Sequence, residues 1–301
     1  MKKTIKLLLL ILTLVITALL FTGCGGEAEL EYDLQSDDTY KVYINDRSAG
    51  KVIIPDTYNG KPVTRLEYCY SYYPANATEI SLPDSLNYVN GRALLGLTNL
   101  CEYEGGVTYV GNWAVACDPN KAEVTVREGT VGIARGFVDV NDGSILTKLT
   151  LPGSVRKISM MSICAPKLEI LNLGDGVDYI GDQAFCYCRS LKEIIIPEGV
   201  EEIRKDTFFD CPSLTRVVLP KSLKVIHNYA FTAKNGGYHQ VNIYYAGTEY
   251  ERGLITEDRT SGGSSIFTYH TWRYYSEKFP VSSLNKYWFY LDGHPVAWSQ
   301  Y

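Results

Sequence analysis

Short stretches of alternating apolar residues recur along the chain and predict β-strands. In residues 191–197, which read LKEIIIP, a period of two places Ile194 and Ile196 on one face and Ile195 on the other. Proline has no N–H to donate to a sheet ladder, so Pro197 is predicted to end the strand. A second extended piece, VEEI, follows at once.

The same pattern is repeated along most of the chain. Similar segments begin at Ile80, Cys101, Val124, Leu149, Leu171, Ile194 and Val217. Their fourth positions are Pro83, Glu104, Arg127, Pro152, Gly174, Pro197 and Pro220, at spacings of 21, 23, 25, 22, 23 and 23 residues. A period near 23 suits one short strand plus a return segment in each turn. Because one such unit cannot bury its apolar face alone, the units are predicted to stack around one continuous core.

Two further positions of the repeat are predicted to point inward. One is an apolar pair near the end of each later unit, as in Ala184-Phe185, Thr207-Phe208 and Ala230-Phe231. The other holds Cys188 and Cys211, where Leu97 stands in an earlier unit. Cysteine behaves as a small apolar residue in a core, so a column of buried thiols is expected there.

The full repeat pattern resembles a known family. It reads I-x-L-P-x-S/G-V-x-x-I-G-x-x-A-F-x-x-C-x-x-L at residues 171–191 and 194–214, and is similar to the BspA-type leucine-rich repeat. The segment VIIPDTYNGKPVTRL from Val52 resembles the usual first repeat of that family, and IYYAGTEYE from Ile243 resembles its usual exit. The closing segment YYSEKFP…YWFYLDGHPVAW is similar to a common C-terminal segment of the family.

The resemblance implies a right-handed solenoid on a microbial surface that binds host proteins, glycans or other cells, and it implies no catalytic residues. The copies at Cys101 and Val124 depart most from the pattern, with Glu104 and Arg127 in place of proline and GNWAVACDPN inserted. We therefore expect a mostly β, leucine-rich-repeat-like solenoid of about eight turns. Its predicted parts are a lipoprotein signal peptide at 1–23, an acidic tether at 24–39, a solenoid with an N-terminal cap at 40–240, and an aromatic-rich β cap at 241–301.

The N-terminus indicates export. Three lysines among the first six residues precede an apolar run from Leu7 to Phe21, which is shorter than the roughly 20 residues of an ordinary membrane span. An uncleaved anchor is the alternative. The following LFTGCGG resembles a bacterial lipobox, with Phe21 where leucine is usual. Cys24 is thus the predicted lipidation site, which would anchor the chain to the outside of a bacterial cell membrane.

Charge and composition fit an exported globular protein. Hydrophobic residues make up 46% of the chain, enough for a sizeable core. The formal net charge is -5, and removal of the three lysines of the signal peptide takes it to -8. Such a surface repels nucleic acid, and no basic cluster with interleaved aromatics opposes that expectation.

The cysteines do not predict a metal site. After Cys24, seven remain, an odd number that excludes a complete disulfide framework. Cys186, Cys188 and Cys211 are the alternative candidates for metal binding. One residue between two cysteines is not zinc-finger spacing, and no second pair is close in sequence, so neither a metal nor another cofactor is expected.

An enzyme is the rival class. The four histidines belong to no H-E-x-x-H motif, and the chain has no G-x-S-x-G or phosphate-binding loop. His227 stands where Asp182 and Lys205 stand in other copies, so a solvated repeat position is expected for it. We expect no catalytic activity, with a surface hydrolase as the less favoured alternative.

The C-terminal segment allows two interpretations. Three of the four tryptophans, Trp272, Trp288 and Trp298, lie after Val241. Aromatic residues at this density can bind sugars. They can equally cover the open core of the last turn, because terminal repeats are expected to be atypical. We favour the cap.

The outward positions of the strands form a predicted binding face. Stacking places equivalent residues of neighbouring strands about 4.8 Å apart, so their identities form a stripe that is polar early and apolar late. Its apolar members are Ile170, Ile195 and Val218, and its charged rim is Lys192, Glu193 and Arg216. An exposed apolar group with a polar rim is typical of an interaction patch. Coverage by neighbouring loops or by the cap is the alternative.

Together these features predict a surface lipoprotein that acts as a monomeric binding scaffold. Its partner is expected to be a host or microbial surface protein or glycan. A glycan-binding lipoprotein that uses the C-terminal aromatics is the alternative.

Overall fold

The computed structural model describes residues 26–46, 49–69, 76–141, 143–227, 229–234, 240–258, 270–277, 286–292 and 294–300. The predicted signal peptide and Cys24 lie outside these residues. In the described part the chain is a β-solenoid of about eight turns, as the repeat pattern predicts. No helix in the described ranges is long and apolar enough to cross a membrane.

Short strands and one short helix build the N-terminal part. They are β1 (Leu30–Leu34), β2 (Tyr40–Ile44), β3 (Lys51–Ile53), β4 (Thr57–Tyr58), β5 (Lys61–Glu67), β6 (Glu79–Ser81), β7 (Tyr88–Val89) and α1 (Gly91–Leu95). One sheet has the order β1-β2-β5-β4 with β7 also paired to β5, and β3 pairs in parallel with β6.

The prediction of a solvated tether over 24–39 is wrong for residues 30–34. They form β1, which pairs antiparallel with β2. The acidic composition suggested a solvated segment, but the strand has an apolar face. The ring of Tyr32 stacks on that of Tyr58 at a centroid distance of 3.8 Å. Asp33 contributes a salt bridge of 2.9 Å to Lys41, so its charge is neutralised within the sheet.

The middle of the chain begins with a meander and continues as repeats. Its strands are β8 (Cys101–Glu104), β9 (Val107–Val110), β10 (Trp113–Cys117), β11 (Glu123–Thr125), β12 (Gly132–Ile133), β13 (Lys148–Thr150), β14 (Lys157–Ile158), β15 (Ile170–Asn172), β16 (Tyr179–Ile180), β17 (Glu193–Ile195) and β18 (Glu202–Ile203). Strands β11, β13 and β15 are parallel and in register, and β12, β14 and β16 form a second parallel set.

The copy that begins at Cys101 is not a solenoid strand, which corrects the repeat assignment. Strand β8 pairs antiparallel with β9, and β9 pairs antiparallel with β10. Gly105 and Gly106 join β8 to β9 with φ values of 60° and 92°, the left-handed conformation that two-residue hairpin turns require. The copy that begins at Val124 does belong to the solenoid, because Val124 is in register with Leu149.

The C-terminal part continues both sets of strands. It contains β19 (Arg216–Leu219), β20 (Val225–His227), β21 (Asn242–Tyr245), α2 (Glu249–Arg252), β22 (Thr256–Asp258), β23 (Thr271–Tyr275), β24 (Tyr287–Leu291) and β25 (His294–Ala297). We call β11, β13, β15, β17, β19, β21 and β23 the first ladder, and β12, β14, β16, β18, β20 and β22 the second ladder.

Residue 240 is not a boundary of the solenoid, in contrast to the predicted division at 240/241. Strand β21 pairs in parallel with β19, and β23 pairs in parallel with β21. Ile243 and Tyr245 take the inward positions that Val217 and Leu219 hold in the preceding turn. Strand β24 pairs in parallel with β23, and within the described residues after 240 the departure from the repeat is β25, which runs antiparallel to β24.

The core follows the predicted inward columns. Ile194 and Ile196 are buried, and the rings of Phe185, Phe208 and Phe231 stack at centroid distances of 5.5 and 5.2 Å. These aromatic contacts fill the space between successive turns, which makes the solenoid a packed core rather than a channel.

The buried thiol column is confirmed. Cys188 and Cys211 have no exposed surface, and their thiols donate hydrogen bonds to Ile163 O at 3.1 Å and Phe185 O at 3.2 Å. Burial raises the pKa of Cys188 to about 12, so this thiol stays protonated and unreactive.

Candidate interaction face

The first ladder turns two rows of side chains outward. One row is Glu123, Lys148, Ile170, Glu193, Arg216, Asn242 and Thr271. The other is Thr125, Thr150, Asn172, Ile195, Val218, Tyr244 and Arg273. Strand pairing fixes which residues are equivalent among β11, β13 and β15, and separately among β17, β19, β21 and β23. The equivalence of β15 and β17 is taken from the repeat spacing in the sequence. The second row changes from Thr125, Thr150 and Asn172 to Ile195 and Val218, whereas the first row is polar except for Ile170.

Two of the three predicted apolar residues are exposed. Ile170 keeps 49% of its surface accessible and Ile195 keeps 38%. Ion pairs surround them, since Arg216 Nε lies 2.5 Å from Glu193 Oε2 and Lys192 Nζ lies 3.9 Å from Glu169 Oε2. Charged side chains therefore lie beside the two exposed isoleucines, and their role as the rim of a binding site stays a prediction.

The predicted exposure of Val218 is wrong. Its side chain is 2% accessible and packs in a small cluster with Tyr244 and Trp288. The covering element is the β24–β25 hairpin, which bends back over the outer face of the later strands. Trp288 is fully buried, its ring centroid lies 5.7 Å from that of Tyr244, and its indole N–H donates to Tyr245 O at 3.0 Å.

The hairpin also reaches the charged rim. His294 Nδ1 lies 3.1 Å from Glu193 Oε1, and this pair connects the first residue of β25 to the first residue of β17. Burial is the main cause that raises the pKa of the Tyr290 phenol, and the charges of Tyr275, Glu198 and Glu193 raise it further. The hairpin therefore becomes part of the face rather than only a cover for the last turn.

The face that remains open combines strand and hairpin residues. Its exposed apolar members are Ile170, Ile195, Tyr290 and Leu291, which we call the outer patch. Tyr290 and Leu291 were missed because the sequence placed them in a cap at the end of the solenoid. The Asp292-Gly293 pair that follows them is the strongest short signal for a hairpin and would have indicated the turn.

The C-terminal tryptophans do not form an open platform for sugars. Trp288 is buried, Trp298 stacks on Phe289 at a centroid distance of 4.1 Å, and Trp272 packs partly buried against the core. The exposed rings near them are those of Tyr275 and Tyr290, whose centroids lie 6.2 Å apart. The indoles thus have structural contacts, as the cap interpretation expects.

A separate cavity of about 290 Å³ opens where the return segments stack. Its lining residues are Met161, Gln183, Cys186, Tyr187, Asp206 and Phe209. Met161, Gln183 and Asp206 occupy equivalent turn positions with φ values of 51°, 57° and 55°. Burial raises the pKa of Asp206, and Gln183 Nε2 donates to its carboxylate at 3.4 Å. The amide of Gln183 and the carboxylate of Asp206 in this cavity therefore bind each other.

His227 has a different setting from the solvated position predicted for it. The residue is half-buried at the end of β20, with Nδ1 3.1 Å from Asp258 Oδ2 and Nε2 3.4 Å from Glu202 Oε2. Both ring nitrogens thus face carboxylates, which positions the ring between β18 and β22. Among the residues the structure describes, no group of three or more His, Cys, Asp or Glu is placed to hold a metal ion.

Comparison with known families identifies the repeat. Residues 141–236 match the model of the BspA type Leucine rich repeat region, with six copies. This match confirms the family resemblance for the later repeats, which include the strands that carry Ile170 and Ile195. No curated protein matches the chain.

Solved structures with similar repeats come from several bacteria. A leucine rich cell surface protein from Faecalibacterium prausnitzii A2-165 is 16% identical to this chain. The alignment covers 79% of this chain and 97% of that protein, with a TM-score of 0.48. A leucine-rich repeat protein from Eubacterium ventriosum is 15% identical, with 89% and 97% coverage and a TM-score of 0.40. The pneumococcal vaccine antigen PcpA is 15% identical, with 69% and 65% coverage and a TM-score of 0.40.

Proposed function

From the premise that this chain carries a BspA-type leucine-rich repeat region over residues 141–236, we propose that it is a binding scaffold displayed on a bacterial cell. Repeats of this kind stack into an extended surface without needing a cofactor or a catalytic pocket. The function is to hold a macromolecular partner, a host or microbial surface protein, on the outer face of the first ladder.

The outer patch is the observation that carries the proposal. Ile170 and Ile195 are exposed where a solvated sheet would carry charge or threonine, as Thr125 and Thr150 do in earlier strands. Tyr290 and Leu291 add exposed apolar residues on the hairpin, whose His294 pairs with Glu193 of the face. Apolar residues of this type with a charged rim are the usual anatomy of a protein interface, in which the apolar centre contributes most of the affinity.

The charged rim determines how the partner is oriented. Lys192, Glu193 and Arg216 present both signs of charge beside the apolar centre, and Glu193 holds Arg216 and His294 in place. Charges at a rim act mainly on the association rate and the register of the partner. The partner is therefore a protein with an apolar centre and a rim of mixed charge.

Location completes the proposal. We propose that the chain is exported and held at the outside of the membrane by a lipid on Cys24, on the strength of the LFTGCGG motif after a short apolar run. The net negative charge of the chain keeps the repeat region solvated.

Binding to immobilised extracellular-matrix proteins and mucins, measured by biolayer interferometry, tests the function. The chain with Ile170→Lys and Ile195→Lys is compared with a matched control that carries Thr125→Lys and Thr150→Lys on the same face. We expect the first variant to lose at least about tenfold in affinity for a bound protein, because lysine removes apolar contact at the centre. Equal affinity of the two variants would contradict the assignment of the face.

Glycan binding is the second candidate, and the two exposed rings of Tyr275 and Tyr290 favour it. Their centroids lie 6.2 Å apart with an interplanar angle of 52°, and both residues are exposed. A glycan array probed with the parent and with a Tyr275→Ala, Tyr290→Ala variant separates this candidate from protein binding. Glycan signals that the parent gives and the tyrosine variant lacks would place a glycan site where β23 meets the hairpin.

A further inference from the structure

The sulfur atoms of Cys164 and Cys186 lie 2.9 Å apart in the core of the solenoid. Both residues are buried, at 3% and 1% accessibility, and 22 positions separate them in the chain. This distance lies between a non-bonded sulfur contact and the covalent distance of about 2.0 Å. The pair is therefore placed for a covalent bond across two neighbouring turns.

The repeat explains why these two cysteines meet. Ile163 N–H donates to Ala184 O at 2.9 Å, and Phe185 N–H donates to Thr207 O at 3.0 Å, so Ile163 and Phe185 hold equivalent positions in successive turns. Cys164 and Cys186 follow them directly and are equivalent in the same way. Neighbouring strands are about 4.8 Å apart, within the Cα separation of about 4.4–6.8 Å that disulfides span.

The other buried cysteines have different partners. Cys188 and Cys211 are also equivalent residues of successive turns, but each thiol donates to a backbone carbonyl of the preceding turn, at 3.1 and 3.2 Å. Their sulfur atoms are thus directed at peptide oxygens rather than at each other. These two residues supply a matched control for the pair at 164 and 186.

We propose that Cys164 and Cys186 form a disulfide that ties two turns of the repeat together in the exported protein. Each thiol loses one proton and the pair gives up two electrons as the S–S bond forms. The acceptor is a disulfide oxidant of the exporting compartment, a protein or small-molecule disulfide that is reduced to two thiols in the exchange. The bond forms as the turns dock, before burial removes the thiols from the oxidant.

Burial then protects the bond. The hydrogen bond with Cys186 and burial both raise the pKa of the Cys164 thiol, so the thiolate, the form that reacts in disulfide exchange, is disfavoured once the chain is folded. The closed loop removes conformational freedom from the unfolded chain, and the melting temperature of the oxidised protein should exceed that of the reduced protein by about 5–10 °C.

Peptide mapping of the full chain tests the proposal. The protein is extracted with detergent from a bacterial host that exports it, alkylated without reductant, and digested with trypsin. Cleavage after Lys157, Lys167 and Arg189 gives peptides 158–167 and 168–189. We expect these peptides to be joined, to separate on reduction, and to stay joined in a Cys188→Ala chain, which identifies Cys186 as the linked residue.

A comparison of two samples distinguishes the absence of the disulfide from a failure of export. A second sample is kept reduced, purified and exposed to oxidised glutathione during refolding. A link in the refolded sample but not in the exported one supports the pairing and counts against export. Alkylated Cys164 and Cys186 in both samples, or a link that moves to Cys188, overturns the proposal. A Cys188→Ala, Cys211→Ala chain should keep the difference in melting temperature between oxidised and reduced protein.

Discussion

His294 Nδ1 and Glu193 Oε1 lie 3.1 Å apart although 101 residues separate them in the chain. Glu193 begins β17 on the outer face, and His294 begins β25 in the C-terminal hairpin. The contact therefore holds the end of the chain across the same face that carries Ile170 and Ile195. The hairpin and the proposed binding face therefore share one surface, so changes in the hairpin should act on both stability and the proposed binding.

Trp288 should contribute most to holding the hairpin down. Trp288→Ala removes a fully buried indole that covers Val218 and Tyr244, and we expect the free energy of unfolding to fall by about 3–5 kcal/mol. Urea denaturation followed by circular dichroism measures it. Tyr250→Ala, at a residue with 78% of its surface accessible, is the control and should stay within about 0.5 kcal/mol. Equal costs for both changes would show that the hairpin is not packed as described.

Gly174 stands where most repeats have proline, and the packing explains it. A Cβ at Gly174 would lie 2.0 Å from the carbonyl oxygen of Pro152, which is fixed backbone. Gly174→Ala should therefore destabilise the protein by about 1–3 kcal/mol. Gly153→Ala is the matched control, because its Cβ meets only the side-chain Oδ1 of Asp175 at 2.7 Å, and that side chain is exposed and can rotate away. Thermal melts of the two variants compare them, and an unchanged Gly174→Ala chain would contradict the close approach of these turns.

The repeat period predicted the core but not the contacts between its ends. Ile194, Ile196 and the Phe185, Phe208, Phe231 column were placed correctly because a period of two within a strand and a period near 23 between turns are both local. The return of the hairpin to Val218 depends on contacts across a long stretch of chain, and no local pattern encodes these.

Two other differences have local causes that the composition concealed. Residues 30–34 were assigned to a tether because they are acidic, yet Tyr32 and the Asp33–Lys41 pair make them a strand. The Cys101 copy matched the repeat by its apolar alternation, but Gly105 and Gly106 turn the chain back into a hairpin. In both cases the contacts or the backbone conformation of a few residues determine the local structure, and the overall pattern of the segment does not.

Cys24 should be the site of lipid attachment. In a bacterial host fed labelled palmitate, the parent chain should incorporate label and a Cys24→Ala chain should not, because the thioether requires the cysteine sulfur. Cys69→Ala is the control for general loss of a cysteine and should label as the parent does. A Cys24→Ala chain labelled as strongly as the parent would rule out the anchor.

The chain after residue 240 should be required for solubility. A protein that ends at Gln240 loses β21, and the edge of the turn that holds Val217, Leu219 and Phe231 becomes exposed. An uncovered apolar edge of this kind aggregates. A protein that ends at Glu277 keeps β21 and β23 and should remain more soluble, although it uncovers Val218 and Tyr244. Size-exclusion chromatography distinguishes the two, and a monomeric chain ending at Gln240 would be evidence against the need for these strands.

Ile195 and Val218 occupy equivalent positions of neighbouring strands and should respond oppositely to lysine. Ile195 is 38% accessible, so Ile195→Lys should leave the melting temperature nearly unchanged and weaken capture of a protein partner. Val218 is 2% accessible beneath Trp288, so Val218→Lys must bury a charge without a partner or displace the hairpin, at a cost of about 3 kcal/mol or more. Differential scanning fluorimetry and biolayer interferometry on both variants provide the comparison. A stable Val218→Lys chain would mean that the hairpin leaves the face readily. Undiminished capture of the partner by a folded Ile195→Lys chain would show that the binding site is not the outer patch.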